Sequence, residues 1–276
     1  MIIKCLVRRT SLAAGLTMVL TVAATAPAAF AQATATQQNP YEPKVGQAGK
    51  DVVWVPTSQE LVNKMLDMAK VTAKDFLMDL GSGDGRTVIT AAKRGLRAQG
   101  VEYNPDMVEL SKRNATAAGV ADKATFVKAD LFETDFSKAQ VVTMFLLPSI
   151  NLRLRPTILN MKPGTRIVSN SFTMDDWQAD QTTTVEGDCT TWCTAYLWIV
   201  PAKAEGTWQL GGNTLTLTQK YQTLSGTLGA NAITNGRLNG DSITFSAGGA
   251  TYPGTVSGNS MKGTTGNGTA WSASKK

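Results

Sequence analysis

The 276-residue chain contains no histidine. That absence removes histidine general bases, Ser-His-Asp triads and histidine-ligated metal centres in one step, and no metal is expected. Cysteine is nearly as scarce. Of the three, Cys5 lies in an apolar N-terminal stretch, leaving Cys189 and Cys193. An even pair in an exported chain is more often a disulfide than a reactive site, although a spacing of four requires a bent loop to bring the two alpha carbons together. The centre of the chain also lacks any excess of charge. Residues 32–204 hold 19 basic and 19 acidic side chains, and the surplus behind the net charge of +6 lies at the two ends. A nucleic-acid binder concentrates positive charge on its working domain, so nucleic acid is not expected as a substrate.

The chain opens MIIKCLVRRTSLAAGLTMVLTVAATAPAAFAQA. Lys4, Arg8 and Arg9 form a basic flank, Ser11 to Phe30 carry no charge, and Ala29-Phe30-Ala31 supplies small residues at the positions a signal peptidase inspects. Residues 1–31 are therefore expected to be a cleaved signal peptide, with export to the periplasm or beyond. The alternative is an uncleaved segment that tethers the protein to a membrane. Under either reading the positive flank stays inside and the folded part lies outside.

Residues 32–51 are polar, with Pro40 and Pro43, and read as a flexible arm. Residues 52–204 read as one α/β domain. Thr57-Ser-Gln-Glu60 has capping-box spacing before a helical run. A buried apolar strand is then expected at 76–80, with further strands at 98–102, 125–128, 141–145 and 166–171, separated by helices at 87–94, 105–118 and 151–159. Such alternation implies a parallel sheet with helices on both faces, and segments 182–185 and 195–200 read as a closing hairpin. Residues 205–276 change character. They hold 14 of the 25 glycines, show period-two apolar alternation, and repeat Gly236–Ile243 as Gly254–Met261, which predicts a small all-β meander or barrel.

The chemistry gathers at Asp79-Leu-Gly81-Ser82-Gly83-Asp-Gly85-Arg86. Alternate glycines let the backbone approach a bound molecule closely. The spacing differs from the dinucleotide fingerprint and no lysine follows, so neither a dinucleotide loop nor a Walker-type phosphate loop fits. A carboxylate at Asp79 repels a pyrophosphate and suits a cation. Glu102 ends the second expected strand, where a carboxylate can accept two ribose hydroxyls. Asp130 follows the third, within reach of an adenine amine. Ligands bind at the strand ends of such sheets, so acids after strands one, two and three point at one cleft.

These stretches, with Gly100-Val-Glu102-Tyr-Asn-Pro105 and Ala129-Asp130-Leu131-Phe132, resemble the class I S-adenosylmethionine-dependent methyltransferases. Val53–Thr57, Phe145–Pro156 and Val168–Trp177 are similar to a narrower group, the mitochondrial lysine methyltransferases acting on the ATP synthase c subunit and the adenine nucleotide translocase, with their bacterial relatives. The resemblance covers roughly residues 50–200. It implies a Rossmann-like sheet and S-adenosylmethionine as methyl donor. Asp79, Gly81, Ser82, Gly83 and Gly85 would line the methionine and ribose portions, with Pro56 and Thr57 over the methionine end. Glu102 would hold the ribose, and Asp130 with the Leu131 amide would read the adenine. It also implies a protein substrate, membrane-associated as for the mitochondrial relatives. Leu146-Leu147-Pro148 departs from the motif of enzymes that methylate amino groups of DNA bases.

Methyl transfer from a sulfonium is an in-line displacement that needs alignment more than acid–base help. Deprotonating a lysine of ordinary pKa at neutral pH costs roughly 4–5 kcal/mol, and the nearby positive sulfonium and burial both reduce that cost. No dedicated base is named. Asp175 and Asp176 are candidate anchors for the incoming ammonium, against solvated loop acids. Trp54 and Trp177 are candidate walls of a lysine channel through cation–π attraction, against core or rim packing. Two other functions stay open: a small-molecule N-methyltransferase and a non-catalytic module binding an adenosyl ligand.

Overall fold

Phe76–Leu80 is almost wholly apolar, and its last four residues are buried. It forms β1 at the centre of the first sheet. In the computed structural model of the protein, residues 41–276 apart from Asp188 are described. The signal-peptide reading of residues 1–31, its anchor alternative and residues 32–40 of the arm lie outside the described residues.

Around β1 stand β2 (Arg97–Glu102), β3 (Ala124–Lys128), β4 (Val141–Met144), β5 (Arg166–Asn170), β6 (Gln181–Thr184) and β7 (Thr194–Ile199), in the order β3-β2-β1-β4-β5-β7-β6. The first five are parallel, and β7 runs antiparallel between β5 and β6. The helices are α1 (Gln59–Met68), α2 (Arg86–Lys93), α3 (Pro105–Ala117) and α4 (Pro148–Ile158). One core joins α1, α2 and α3 to the sheet through Leu61, Leu66, Val88 and Val108. A second joins α4 through Ile150, Leu154 and Ile158 with Trp177 and Trp198. Helices therefore cover both faces, as parallel strands buried on two sides require.

Three local expectations are corrected. The cap of α1 is Ser58, whose hydroxyl accepts from the Leu61 amide at 3.2 Å, not Thr57. The Thr57 hydroxyl instead accepts a 3.1 Å bond from the Asn170 side chain across the domain. Helix α4 begins at Pro148, three residues earlier than its apolar spacing suggests, because proline at the first helical position forfeits no hydrogen bond. Over residues 41–51 the arm is not free. Gly46 and Trp54, then Trp54 and Gln47, are joined by 2.9 Å backbone bonds, and Ala48 bridges Val53.

The second sheet comprises β8 (Gly206–Leu210), β9 (Asn213–Lys220), β10 (Thr223–Leu228), the two-residue β11 (Asn231–Ala232), β12 (Thr234–Asn239), β13 (Ser242–Ala247), β14 (Ala250–Ser257), β15 (Ser260–Thr264) and β16 (Ala270–Lys275). Because β9 pairs with both β8 and β10, and β16 returns to β8, the sheet closes into an antiparallel barrel. The repeat is a repeated hairpin. Leu238 faces Ile243 and Val256 faces Met261, with Gly240 and Gly258 at φ 60° and 55° in the turns. Trp208, Leu215, Leu238 and Phe245 fill the interior, as side chains do in small barrels.

The barrel seats on the first sheet through Tyr221, whose ring stacks on Trp177 at 5.7 Å and whose hydroxyl donates to Asp176 at 2.8 Å. Arg237 pairs with Asp180 at 2.6 Å beside it.

Candidate active site

Gly81, Gly83 and Gly85 all have positive φ, at 78°, 55° and 82°, a region that residues with a Cβ resist. The turn they make is tied down from three directions. The Val101 carbonyl accepts from the amides of Gly81 and Ser82 at 2.9 and 3.0 Å. From α3, Ser111 donates to the Gly83 carbonyl at 2.8 Å and Asn114 to that of Asp84 at 3.0 Å. Arg86 pairs with Asp84 and donates to the Thr57 carbonyl at 2.8 Å, fastening the segment before α1 to the loop.

Above this turn a cavity of about 460 Å³ opens at the carboxyl ends of β1 to β4, a size typical of small-molecule sites. It lies where strand order reverses between β1 and β4, the expected crevice of an open α/β sheet. Asp79, Gly81, Ser82, Gly83, Glu102, Asp130 and Leu131 all line it, as do Trp54, Pro56 and Thr57. Gly85 does not. A Cβ there would meet Phe126 at 2.7 Å and Ser111 at 2.9 Å, so this glycine serves packing behind the loop, and the expectation that it lines the site is corrected.

The three acids sit in different electrostatic settings. Asp79 is buried and accepts a 2.7 Å bond from the Thr143 hydroxyl. Burial pushes its carboxyl up to about 7, the nearby charges of Asp84 and Glu102 add to the rise, and the Thr143 and Thr87 hydroxyls oppose it. Glu102 accepts the amides of Gly83 and Asn104, each at 2.9 Å on a different oxygen. Asp130 is paired with Lys50 of the arm, whose ammonium also lies 4.8 Å from the Tyr103 ring centre. That partner holds the Asp130 carboxyl below its ordinary range, helped by the Phe132 amide. Lys50 carries no sequence signal for this role, because the pair spans 80 residues of chain.

On the other side of the cavity, Phe145, Phe172 and Trp192 meet. Phe172 is held by α4, where Asn151 donates to the Phe172 and Thr173 carbonyls at 3.3 and 3.2 Å and Arg155 to that of Met174 at 2.8 Å. Trp192 is carried by the loop between Cys189 and Cys193, which form a disulfide with alpha carbons 5.7 Å apart. Trp177 lies away from the cavity. It is fully buried between Trp198 and Tyr221, so its expected place in a lysine channel is corrected to core packing. Asp176 pairs with Arg155 at 2.7 Å and Lys220 at 3.3 Å beneath the barrel. Neither it nor the exposed Asp175 lines the cavity, so the expectation that they anchor the incoming ammonium is corrected as well.

A family model described as the ANTKMT methyltransferase domain matches residues 79–181. A protein-lysine N-methyltransferase of Saccharolobus islandicus is 42% identical over 152 residues, covering 54% of this chain and 94% of that protein. A crystal structure of an RNA methyltransferase from Salinibacter ruber, in complex with S-adenosyl-L-homocysteine, is 47% identical with a TM-score of 0.51, covering 54% of this chain and 95% of that one. The chain belongs to the S-adenosylmethionine-dependent methyltransferases. A mouse lysine N-methyltransferase of the ATP synthase c subunit is a further relative of this methyltransferase, 36% identical over 140 residues, and the chain spans 56% of its length. The cofactor is S-adenosylmethionine, and the residues present fit it. A Cβ on Gly83 would come within 2.6 Å of the Trp54 ring nitrogen, so glycine is what lets the Trp54 ring, which also lines the cavity, lie directly against the loop. Beneath it lies Asp79, a buried carboxylate suited to a cation. Among the described residues no cluster of acids and cysteines could hold a metal ion.

Proposed function

We propose that this methyltransferase is a protein-lysine N-methyltransferase working outside the cytoplasm or tethered to a membrane. The near-complete coverage of the Saccharolobus protein-lysine N-methyltransferase at 42% identity carries the acceptor class. The even charge balance of residues 32–204 favours protein over the RNA for which the Salinibacter protein is named. The basic, then apolar, N-terminus and the Cys189–Cys193 disulfide support a site outside the reducing cytoplasm.

In this reading S-adenosylmethionine supplies an electrophilic methyl group on a positive sulfur. Glu102 would hold the ribose hydroxyls, its carboxylate oriented by the Gly83 and Asn104 amides. Asp79 would face the positive end of the cofactor, with Gly81, Ser82 and Gly83 against it and Pro56 and Thr57 covering it. Asp130 and Leu131 would take the adenine. The task left to this chain's residues would be to align a lysine amine, its proton already lost to solvent, with that methyl group.

Titration calorimetry of S-adenosylmethionine with wild-type protein, Asp79→Ala and Glu102→Ala tests the cofactor site, and an absence of heat in the wild type refutes it. Labelled-methyl transfer to membrane proteins, followed by hydrolysis and amino-acid analysis, tests the acceptor. Label recovered in nucleotides instead of methyl-lysine would move the assignment to RNA. Fusing residues 1–35 to a reporter active only outside the cytoplasm tests export.

A further inference from the structure

The cavity has two ends of opposite chemistry, and the acids described above account for only one. At the other stand Phe145, just beyond β4, Phe172, just beyond β5, and Trp192, just before the antiparallel β7. All three therefore project from the same edge of the sheet. Their ring centres lie 6.0, 6.1 and 5.1 Å apart, pairwise. The ring planes are inclined at 23°, 59° and 44°, so the group is a faceted wall, not a pair of parallel plates that would sandwich a nucleobase. Phe145 and Phe172 are half-buried, and Trp192 is 46% exposed, although a large apolar side chain normally gains by full burial. The two cations that line the cavity among the described residues are both paired with carboxylates at its other end, Lys50 with Asp130 and Arg86 with Asp84. At this end an incoming ammonium therefore meets ring faces and, among the described residues, no unpaired cationic side chain.

Trp192 is placed by a dedicated device. Its φ is 60°, a conformation that bulky residues rarely adopt. The Cys189–Cys193 bridge closes the loop around it, and both cysteines pack on the core that α1, α2 and α3 share with the sheet. The chain on either side is pinned by bonds from the Val185 amide to the Cys193 carbonyl at 2.9 Å and from the Ser171 amide to the Thr194 carbonyl at 2.7 Å.

We infer that Phe145, Phe172 and Trp192 form the acceptor subsite, a three-ring wall that receives the alkylammonium end of a lysine side chain, and that the Cys189–Cys193 disulfide is what holds Trp192 in that wall. Ring faces attract an ammonium ion electrostatically, and they cover its methylene stem at the same time. The wall keeps the amine at the mouth of the cofactor cavity until it gives up its proton. Trp192 is thus a specificity-determining residue, and the bridge a positioning element acting through it. Reduction of the bridge frees the loop and removes one of the three rings.

This rests on the cofactor and acceptor reading above, so the test separates the two. Calorimetry compares S-adenosylhomocysteine with three analogues in which nitrogen replaces the sulfur and carries an additional arm: a butylammonium, a neutral hydrocarbon of the same shape, or a uracil-tipped chain. The ammonium arm is expected to tighten binding roughly tenfold over S-adenosylhomocysteine, and the neutral arm by about threefold at most. In Trp192→Ala, and in Cys189→Ser/Cys193→Ser, the ammonium gain is expected to fall to about twofold. Trp192→Phe retains most of it. S-adenosylhomocysteine affinity serves in every variant as the control for an intact fold. An ammonium gain that survives Trp192→Ala, a neutral arm that does as well, or a gain from the uracil arm alone overturns the proposal. Failure of S-adenosylhomocysteine itself to bind the wild type refutes instead the cofactor reading on which it stands.

Discussion

The Thr143 hydroxyl donates a 2.7 Å hydrogen bond to the buried carboxylate of Asp79 across the β1–β4 pair. That one bond does not offset the burial, so Asp79 titrates near 7, about three units above an ordinary aspartate. A cation placed beside it favours the ionised form. Cofactor binding below pH 7 is therefore expected to release a proton and to weaken by up to tenfold per unit as pH falls. Calorimetry at pH 6 in two buffers of different ionisation enthalpy measures the released proton, and the effect is expected to vanish in Asp79→Asn.

The same group acts on stability with a definite sign. Its carboxyl titrates near 7 in the folded protein and near 3.9 in the unfolded chain. Between those values the folded state holds more protons, so this group's contribution to stability falls as pH rises from about 4 to about 7. Asp79→Asn, which cannot ionise, is expected to be more stable than the wild type at pH 8 by ~2–4 kcal/mol without cofactor, and to lose most of that advantage at pH 4. Urea denaturation at the two pH values checks this.

Lys50 and the adenine amine compete for one carboxylate if Asp130 takes the cofactor's base. The ion pair is part-exposed, and solvent screening leaves such pairs with little net stabilisation. Lys50→Ala is therefore expected to tighten S-adenosylmethionine binding by about two- to fivefold and to flatten its salt dependence. A weaker cofactor affinity in this variant would count against Asp130 as the adenine acceptor.

Tyr221 couples the barrel to the first sheet by stacking on Trp177 and bonding Asp176. Tyr221→Phe is expected to cost about 1 kcal/mol of stability for the lost hydroxyl bond. Tyr221→Ala is expected to cost about 2–4 kcal/mol, because it also uncovers Trp177. Denaturant titration followed by tryptophan fluorescence reads both.

How much was legible in the sequence depended on distance along the chain. Strands β1 and β4 announced themselves by short apolar runs, and α3 by Asn104 and Pro105. The glycine loop with Asp79, Glu102 and Asp130 was legible because each acid lies at or just beyond the carboxyl end of its own strand and parallel strands end on one edge. The Gly236–Ile243 repeat pointed to a hairpin because turn glycines and inward apolar residues recur in register. Closure of the barrel was not legible, since it depends on the ladder between β8 and β16, which stand at opposite ends of the final segment. Trp54 and Trp177 looked alike in the sequence. The structure separates them, because Tyr221 of the barrel covers Trp177 while Trp54 faces the cavity.

The sequence by itself determined the class of fold and the strand ends at which Asp79, Glu102 and Asp130 gather, because local pattern dictates strands, and its resemblance to the class I methyltransferases pointed to the cofactor. Tertiary structure alone decided the acceptor side. Phe145, Phe172 and Trp192 come from three separate connections, and no periodicity relates them. Only the packing of β4, β5 and β7 side by side, with a disulfide bending the last loop, brings their rings to one wall.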